Sequence, residues 1–488
     1  MKAYIPILVP KADGVSRVQQ IVQTFLKAIK EKQFLPGDKL PSIRQCAKTF
    51  NLSTSTIASA FETLKDEGVI ESERGSGYYL SANILPGNPP PTSRNRSVPQ
   101  KNNFTKPIDD FWLLANVYQA DDSEFHSVGC GWLPPTWYAR KEIKTGLRNT
   151  ARHEDVDENC YGDPYGYQDL RSYIANHLIE RSLSVTGDQI LLTSGASRAL
   201  DLISNTFLNT GDTVLVDEPG YCNFLSSMLS KRIKLVGVRW TQNGPDIKQL
   251  EKILAKENIK FYFTNPWLQN PTGASISLDI AHSLLNLAER YGLTIIEDNV
   301  SGDLLTPGTI SLSALGGIER VIHIGSFSKT VSAGFRVGYI VAAQNILCQL
   351  MKYKMLSGLT SSSISEKITL NIIKQPEYRK FIKTLRSKLT QAQKEMALFF
   401  QGIGWEVFCT PTGGYYIYAR PVGSTVDSRF ISEKAKDAGL LFAPGYLFHP
   451  EHKASPWIRF NVAYSQEKKK HLYDFIIKIK QQSKDISI

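Results

Sequence analysis

Six near-continuous apolar runs recur between residues 189 and 342: QILLTSG, DTVLVDEPGY, IKFYFTNP, LTIIEDN, RVIHIGSFSK and RVGYIVA. Each is short enough to be a strand, and a helical stretch separates most neighbours. Strands that read apolar on both faces are covered on both faces, which makes a mostly parallel α/β sheet the expected core. The last ~120 residues mix helix and strand and predict a smaller α/β domain beginning at about 360. We find no internal repeat.

A different text precedes this body. Residues 81–107 hold Pro86, Pro89, Pro90, Pro91, Pro99 and Pro107 with no apolar period, and Arg94, Arg96, Lys101 and Lys106 meet no acid there. Such a stretch reads as a partly extended, basic linker. The expected organisation is a head over residues 1–80, a linker over 81–107 and a body over 108–488. Residues 1–106 carry 15 Lys/Arg against 8 Asp/Glu, so the head and linker hold most of the chain's net +11. A basic head on a near-neutral body suits attraction to a phosphate backbone. Six cysteines without paired short spacing argue against zinc ribbons and disulfide scaffolds, and for a reducing cytoplasm. The run IPILVP is too short for a signal or a membrane span.

Within the head, Val18, Ile21, Val22, Phe25, Leu26 and Ile29 form a helical stripe. Pro36, Gly37 and Pro41 then break the pattern. Ser42 caps a second helix buried through Ile43, Ala47 and Phe50, with a tight turn at Asn51 and Leu52. Ser53 caps a third helix buried through Ile57, Ala60, Phe61 and Leu64. VIESERGSGYYL reads as two strands around a Gly-rich turn. Ser53, Thr54, Ser55, Thr56 and Ser59 give the third helix small hydroxyl side chains, which let a helix enter a major groove and bond base edges. Arg44 and the wing residues Arg74 and Gly75 are candidate backbone or groove contacts. With its PGDKLPSIR and GSGYYL stretches, this winged helix-turn-helix plan resembles the GntR family of bacterial transcription regulators. Relatives often carry Arg where this chain has Thr54.

The body's motifs resemble fold-type I aminotransferases, and the whole resembles the MocR subfamily of GntR regulators. The resemblance implies bound pyridoxal 5'-phosphate. Lys329, in SFSK, would form the Schiff base, which requires an unprotonated amine. Asp298, 31 residues upstream, would face the pyridinium nitrogen and strengthen the ring as an electron sink. Ser326, Ser328 and Arg336 would bond the phosphate, together with Gly195, Ala196 and Ser197 at a helix N-terminus. Asn270 would bond the ring oxygen and Tyr221 would stack on the ring. Tyr161 would reach a neighbouring subunit's phosphate, and Arg459 would clamp an amino acid's carboxylate. His323 reads as structural. Relatives place a tyrosine two or three residues beyond the aspartate, where this chain has Val300 and Ser301. That loss leaves Asn270 as the main donor to the ring oxygen and predicts a raised Schiff-base pKa.

These readings imply a PLP-dependent regulator that binds double-stranded DNA and senses PLP, an amino acid or an amine. A homodimer with exchanged heads fits the linker length. The alternative is an aminotransferase with an accessory head.

Overall fold

In the computed structural model, the described residues are 4–9, 16–73, 76–81, 125–152, 160–410 and 412–484. Arg74, Gly75 and the linker from residue 82 onward lie outside them. Two compact units divide the chain, Met1–Thr105 and Lys106–Ile488.

The first unit builds three helices and a hairpin from local signals. Helix α1 (Arg17–Lys30) starts at a capping box between Ser16 and Gln19. Ser42 and Gln45 make the same reciprocal cap for α2 (Ile43–Phe50), which ends at Asn51 in the left-handed region. Ser53 accepts the Thr56 amide to start α3 (Thr54–Asp66). The strands β1 (Ile70–Glu73) and β2 (Gly77–Leu80) pair antiparallel. Ile57, Ala60, Phe61 and Leu64 of α3 pack against Ile21, Val22 and Phe25 of α1, as the periodicity predicts. On α2 the stripe is shifted: Cys46 and Ala47 are buried, while Ile43 and Phe50 are only partly covered. A buried cysteine behaves as a small hydrophobe, and the stripe read from the sequence does not include it.

The second unit opens with α4 (Arg140–Arg152) and α5 (Gln168–Ile179). The large sheet then takes β3 (Ile190–Thr193), β4 (Thr213–Glu218), β5 (Lys234–Thr241), β6 (Gly244–Pro245), β7 (Phe261–Thr264), β8 (Thr294–Asp298), β9 (Val321–Ser326) and β10 (Gly338–Val341). Between them come α6 (Ala196–Phe207), α7 (Cys222–Ser230), α8 (Ile247–Leu254), α9 (Leu278–Tyr291) and the short α10 (Leu312–Gly316). The spatial order is β3-β10-β9-β8-β7-β4-β5-β6. The pairings from β9 through β5 are parallel, whereas β10 and β6 run antiparallel to their neighbours. The expected mostly parallel sheet is therefore present, with two reversed strands.

After α11 (Gln344–Gly358), α12 (Ser363–Ile373) and the long α13 (Pro376–Gly402), a second sheet forms. It comprises β11 (Trp405–Val407), β12 (Tyr416–Pro421), β13 (Ala443–Pro444) and β14 (Ile458–Asn461), all antiparallel in the order β11-β12-β14-β13. Residues 126–137 join it: His126 bridges Leu440, and Val128, Leu133 and Trp137 enter its core. A segment far away in sequence thus completes this small domain.

One buried cluster fixes the ends of the central strands. Glu297 and His323 are cross-strand partners on β8 and β9, and His323 Nδ1 lies 2.9 Å from Glu297 Oε2. Glu297 also accepts from Trp267 Nε1 and from the amides of Leu312 and Ser313. Burial raises its carboxyl pKa, but the bond with His323 and these donors hold it below the usual value. His323 is thus structural, as read from the sequence. Glu297→Ala would strand several buried donors at once. We expect it to lower the unfolding free energy by about 3–5 kcal/mol in denaturant titrations; a loss under about 1 kcal/mol would show that the cluster does not hold the strand ends.

Candidate functional site

A cavity of about 160 Å³ lies where the large sheet's strand ends meet the small domain. Ligands of open α/β sheets sit at such strand ends. Asp298, Asn270, Tyr221, Ala196, Ser197, Ser326, Ser328, Lys329, Arg336 and Arg459 all line it. Gly195 stands directly behind, against Arg336. Tyr161 does not line the cavity and is 81% exposed.

Alternation along β8 aims its residues at opposite sides. Glu297 turns to the cluster with His323, so Asp298 turns to the cavity. Its Oδ1 is buried without a hydrogen-bond partner. Burial pushes the carboxyl up to about 7, against the Val300 amide and the charge of Lys329. A cationic N–H placed there would satisfy the orphaned oxygen and restore the carboxylate.

Lys329 donates to the Gly131 carbonyl at 2.5 Å. Burial first, and then the charge of Arg459, bring its pKa down to about 8, with Cys130 and Asp298 acting in the opposite sense. About a tenth is therefore the free amine at pH 7, far more than for an ordinary lysine. The amine faces Tyr415, whose ring centre is 5.9 Å away.

An anion cradle lies beside this amine. Helix α6 starts at Gly195 with no side-chain cap among the described residues, so its first amides remain available to an anion. Arg336 lies over the same turn: a Cβ on Gly195 would meet Arg336 Nη2 at 2.6 Å, and Gly195 has φ +86°. Arg336 itself has φ +53°, a conformation that costs a non-glycine residue energy. Its Nη1 donates to Ser328 Oγ at 3.4 Å, and the Ser328 amide donates to Ser326 Oγ at 3.1 Å. Two hydroxyls, a guanidinium and a helix N-terminus converge on one spot, which suits a phosphate ester. With the orphaned carboxylate oxygen and the free amine, these residues fit pyridoxal phosphate.

Asn270 is positioned by a relay. Asp217 accepts the Asn265 amide at 2.8 Å, and Asn265 Oδ1 accepts the Asn270 amide at 2.7 Å. Arg459 is buried and donates through Nη1 to Asn270 Oδ1 at 2.7 Å and through Nη2 to the Gly129 carbonyl at 2.5 Å. Its Nε has no partner. The Asn270 side-chain nitrogen is left as the donor.

Two features escape the sequence reading. Tyr415 and Tyr416, in PTGGYYIYARP, line the cavity from the small domain. The Tyr415 hydroxyl meets Ser301, and burial raises its pKa well above the usual value, so it stays a neutral donor. The second is the segment Gly129–Cys130–Gly131. Its carbonyls hold Arg459 and Lys329, and a Cβ on Gly129 would strike the Ala443 nitrogen at 2.4 Å. The closely spaced glycines of VGCGW were its only signal.

In the head, Ser53, Thr54, Ser55 and Ser59 are exposed on α3 and Thr56 is half-buried. Ser53 Oγ lies 2.8 Å from Ser55 Oγ and 2.7 Å from Thr56 Oγ1. Arg44 is exposed on α2. These residues form a coherent polar face.

Comparison with known proteins agrees with both halves. The aminotransferase class I and II family matches residues 135–476, and the gntR family of bacterial regulatory proteins matches residues 17–80. The HTH-type transcriptional regulator NorG of Staphylococcus aureus is 28% identical, over 90% of this chain and 100% of its own. The HTH-type transcriptional regulator YdfD of Bacillus subtilis is 26% identical, over 96% and 98%. Kynurenine aminotransferase of Pyrococcus horikoshii superposes with TM-score 0.71 at 24% identity, covering 78% of this chain and 96% of its own. LysN, an α-aminoadipate aminotransferase of Thermus thermophilus, gives 0.66 at 23%, covering 74% and 93%.

The lowered pKa of Lys329 makes a kinetic prediction. Only the neutral amine attacks an aldehyde, so the capture rate of an aldehyde probe should climb about ten-fold per pH unit below about 8 and level off above it. Stopped-flow absorbance against pH checks this, and a midpoint near 10 would refute it.

Proposed function

The chain belongs to the aminotransferase class I and II family, and from that premise we propose that it is a PLP-dependent, DNA-binding transcription regulator. The observation that carries this reading is the union, in one chain, of a fitted cofactor cavity and a gntR-type head with an exposed hydroxyl face. That organisation is the one of the MocR subfamily. Relatives matched along almost their whole length are named as transcriptional regulators.

Pyridoxal phosphate, when bound, supplies an aldehyde for amines and an electron-withdrawing ring. Lys329 would hold it covalently. Asp298 would face the ring nitrogen and keep its proton in place. Gly195, Ala196, Ser197, Ser326, Ser328 and Arg336 would hold the phosphate, and Tyr221 would stack on the ring. Asn270 and Tyr415 would donate to the ring oxygen. Tyr415 thus offers, from the small domain, the phenol that Val300 and Ser301 do not. Arg459 would take a carboxylate, which makes an amino acid an effector candidate beside PLP itself and amines.

In the head, Ser53, Thr54, Ser55, Thr56 and Ser59 would meet double-stranded DNA, with Arg44, Arg74 and Gly75 on the backbone or in the minor groove. We assign the working protein as a cytoplasmic homodimer, its heads exchanged across the 81–107 linker. The exposure of Tyr161 fits a contact with the partner's phosphate site. Among the described residues no helix is long and apolar enough to cross a membrane. A second reading is favoured by the gathering of Lys329, Asp298, Asn270, Arg336 and Arg459 in one cavity. This set can support transamination half-reactions, and repeated turnover with a 2-oxo acid would establish an enzyme.

The regulator reading is tested by anisotropy titration on DNA from upstream of the protein's own gene, against scrambled competitor, with and without PLP. Sequence-specific binding altered by PLP is expected. Binding equal to that of the scrambled DNA at every salt concentration counts against it. Arg44→Ala should weaken binding to all sequences and reduce the salt slope by about one. At the cofactor, Tyr415→Phe removes a donor that favours the deprotonated chromophore. It should raise the pKa of the visible band by about one unit; an unchanged titration would remove Tyr415 from the ring oxygen.

A further inference from the structure

A second cavity, of about 240 Å³, backs onto the first across the ends of β8 and β9. The same alternation that sends Asp298 to one side sends Asn299 to the other, and Ser326 lines both spaces. Its walls come from α5, α13 and the 302–304 turn. Ile174, Leu178, Phe327, Tyr339 and Ile382 give it an apolar floor. For scale, an apolar cavity of about 150 Å³ holds benzene, so this one has room for roughly ten heavy atoms.

Its polar side carries excess positive charge. His177, Arg181, Arg379 and Arg386 line it, against Asp303 and Glu180. Asp303 is shared: His177 Nε2 and Arg181 Nη2 each lie 3.1 Å from its Oδ1, and Arg386 Nε donates to its backbone carbonyl at 2.9 Å. Glu180 points largely to water, with a side chain 62% exposed. Burial first, and then the charge of Arg181, depress the Arg386 guanidinium, with Asp303 acting in the opposite sense. The buried Asn299 Oδ1 remains without a hydrogen-bond partner, and the Tyr378 hydroxyl meets Thr330. On the far side of Asp303, Thr330 donates to Oδ2 at 3.4 Å, and Thr330 directly follows Lys329.

We propose that this cavity binds a small carboxylate with an apolar body and a hydrogen-bond donor, and that its occupancy is felt at Lys329. The carboxylate would meet Arg386 and Arg379 at the rim, with Tyr378 as a further donor. The apolar body would lie on the floor, and the ligand's donor would answer Asn299. Competition for Arg386, which also holds the Asp303 carbonyl, would loosen Asp303, and with it Thr330. The binding claim stands on its own, whereas transmission to Lys329 rests on the cofactor reading above.

The test is calorimetric titration of the full-length, PLP-loaded protein with 4-hydroxyphenylacetate. Its neutral amide and inorganic phosphate serve as controls, and the visible band is recorded in parallel. One site per chain is expected, with both controls about ten-fold weaker, and Arg386→Met should cost a similar factor. The exposed Arg379→Met, which does not threaten folding, should cost about two- to three-fold. Arg459→Met, in the other cavity, should leave this binding intact. The visible band should shift on binding in the parent chain and stay still in Thr330→Val. No heat up to about 10 mM, equal binding of the amide or of phosphate, or loss through Arg459→Met alone would overturn the site. Binding with an unmoved band would overturn the transmission.

Discussion

The Glu297–His323 cluster is the constraint on which the body's chemistry depends. The pair is cross-strand, buried, and anchored further by Trp267 and two backbone amides. An ionic group taken out of water is tolerable only when its remaining bonding capacity is filled, and here it is. The consequence reaches both neighbours in sequence. On β8, pinning Glu297 fixes the direction of Asp298. On β9, pinning His323 fixes the strand that ends in Ser326 and leads into Lys329. A carboxylate and an amine from distant parts of the chain thus acquire a defined separation without touching one another.

Around that frame the cavity keeps several groups in states they would not hold in water. Asp298 is poised near 7 and Lys329 near 8, while Arg459 is buried with one nitrogen unbonded. Each is an incomplete environment, and each lacks what a phosphorylated pyridine aldehyde and an amino acid would bring. Pre-organised deficits of this kind are typical of ligand sites and are costly in a site that serves only stability.

Much of this was legible in the chain. Strand-length apolar runs gave the large sheet, because strands buried on both faces cannot disguise themselves. Caps at Ser42 and Ser53 gave two helix starts, because capping is local. Lys329, Asp298, Asn270 and Arg336 were readable through motif resemblance and do share one cavity. Tyr415 was not readable: it reaches Ser301 only through the packing of the small domain, and no local spacing encodes that. The reversal of β10 was equally hidden, since an apolar run does not state its direction. Gly129 and Gly131 matter through close approach to Ala443 and Lys329, a property of the folded chain alone. The second helix's stripe, as read from the sequence, omits Cys46, although a buried thiol packs as a small hydrophobe.

The position of Gly131 carries one more consequence. The segment that accepts the lysine's hydrogen bond lies among the first described residues of the second unit. Were Lys329 to bind an aldehyde it would have fewer protons to give, and the Gly131 carbonyl would need another donor. The chemistry of Lys329 would therefore act on a peptide group of the same segment that completes the small domain.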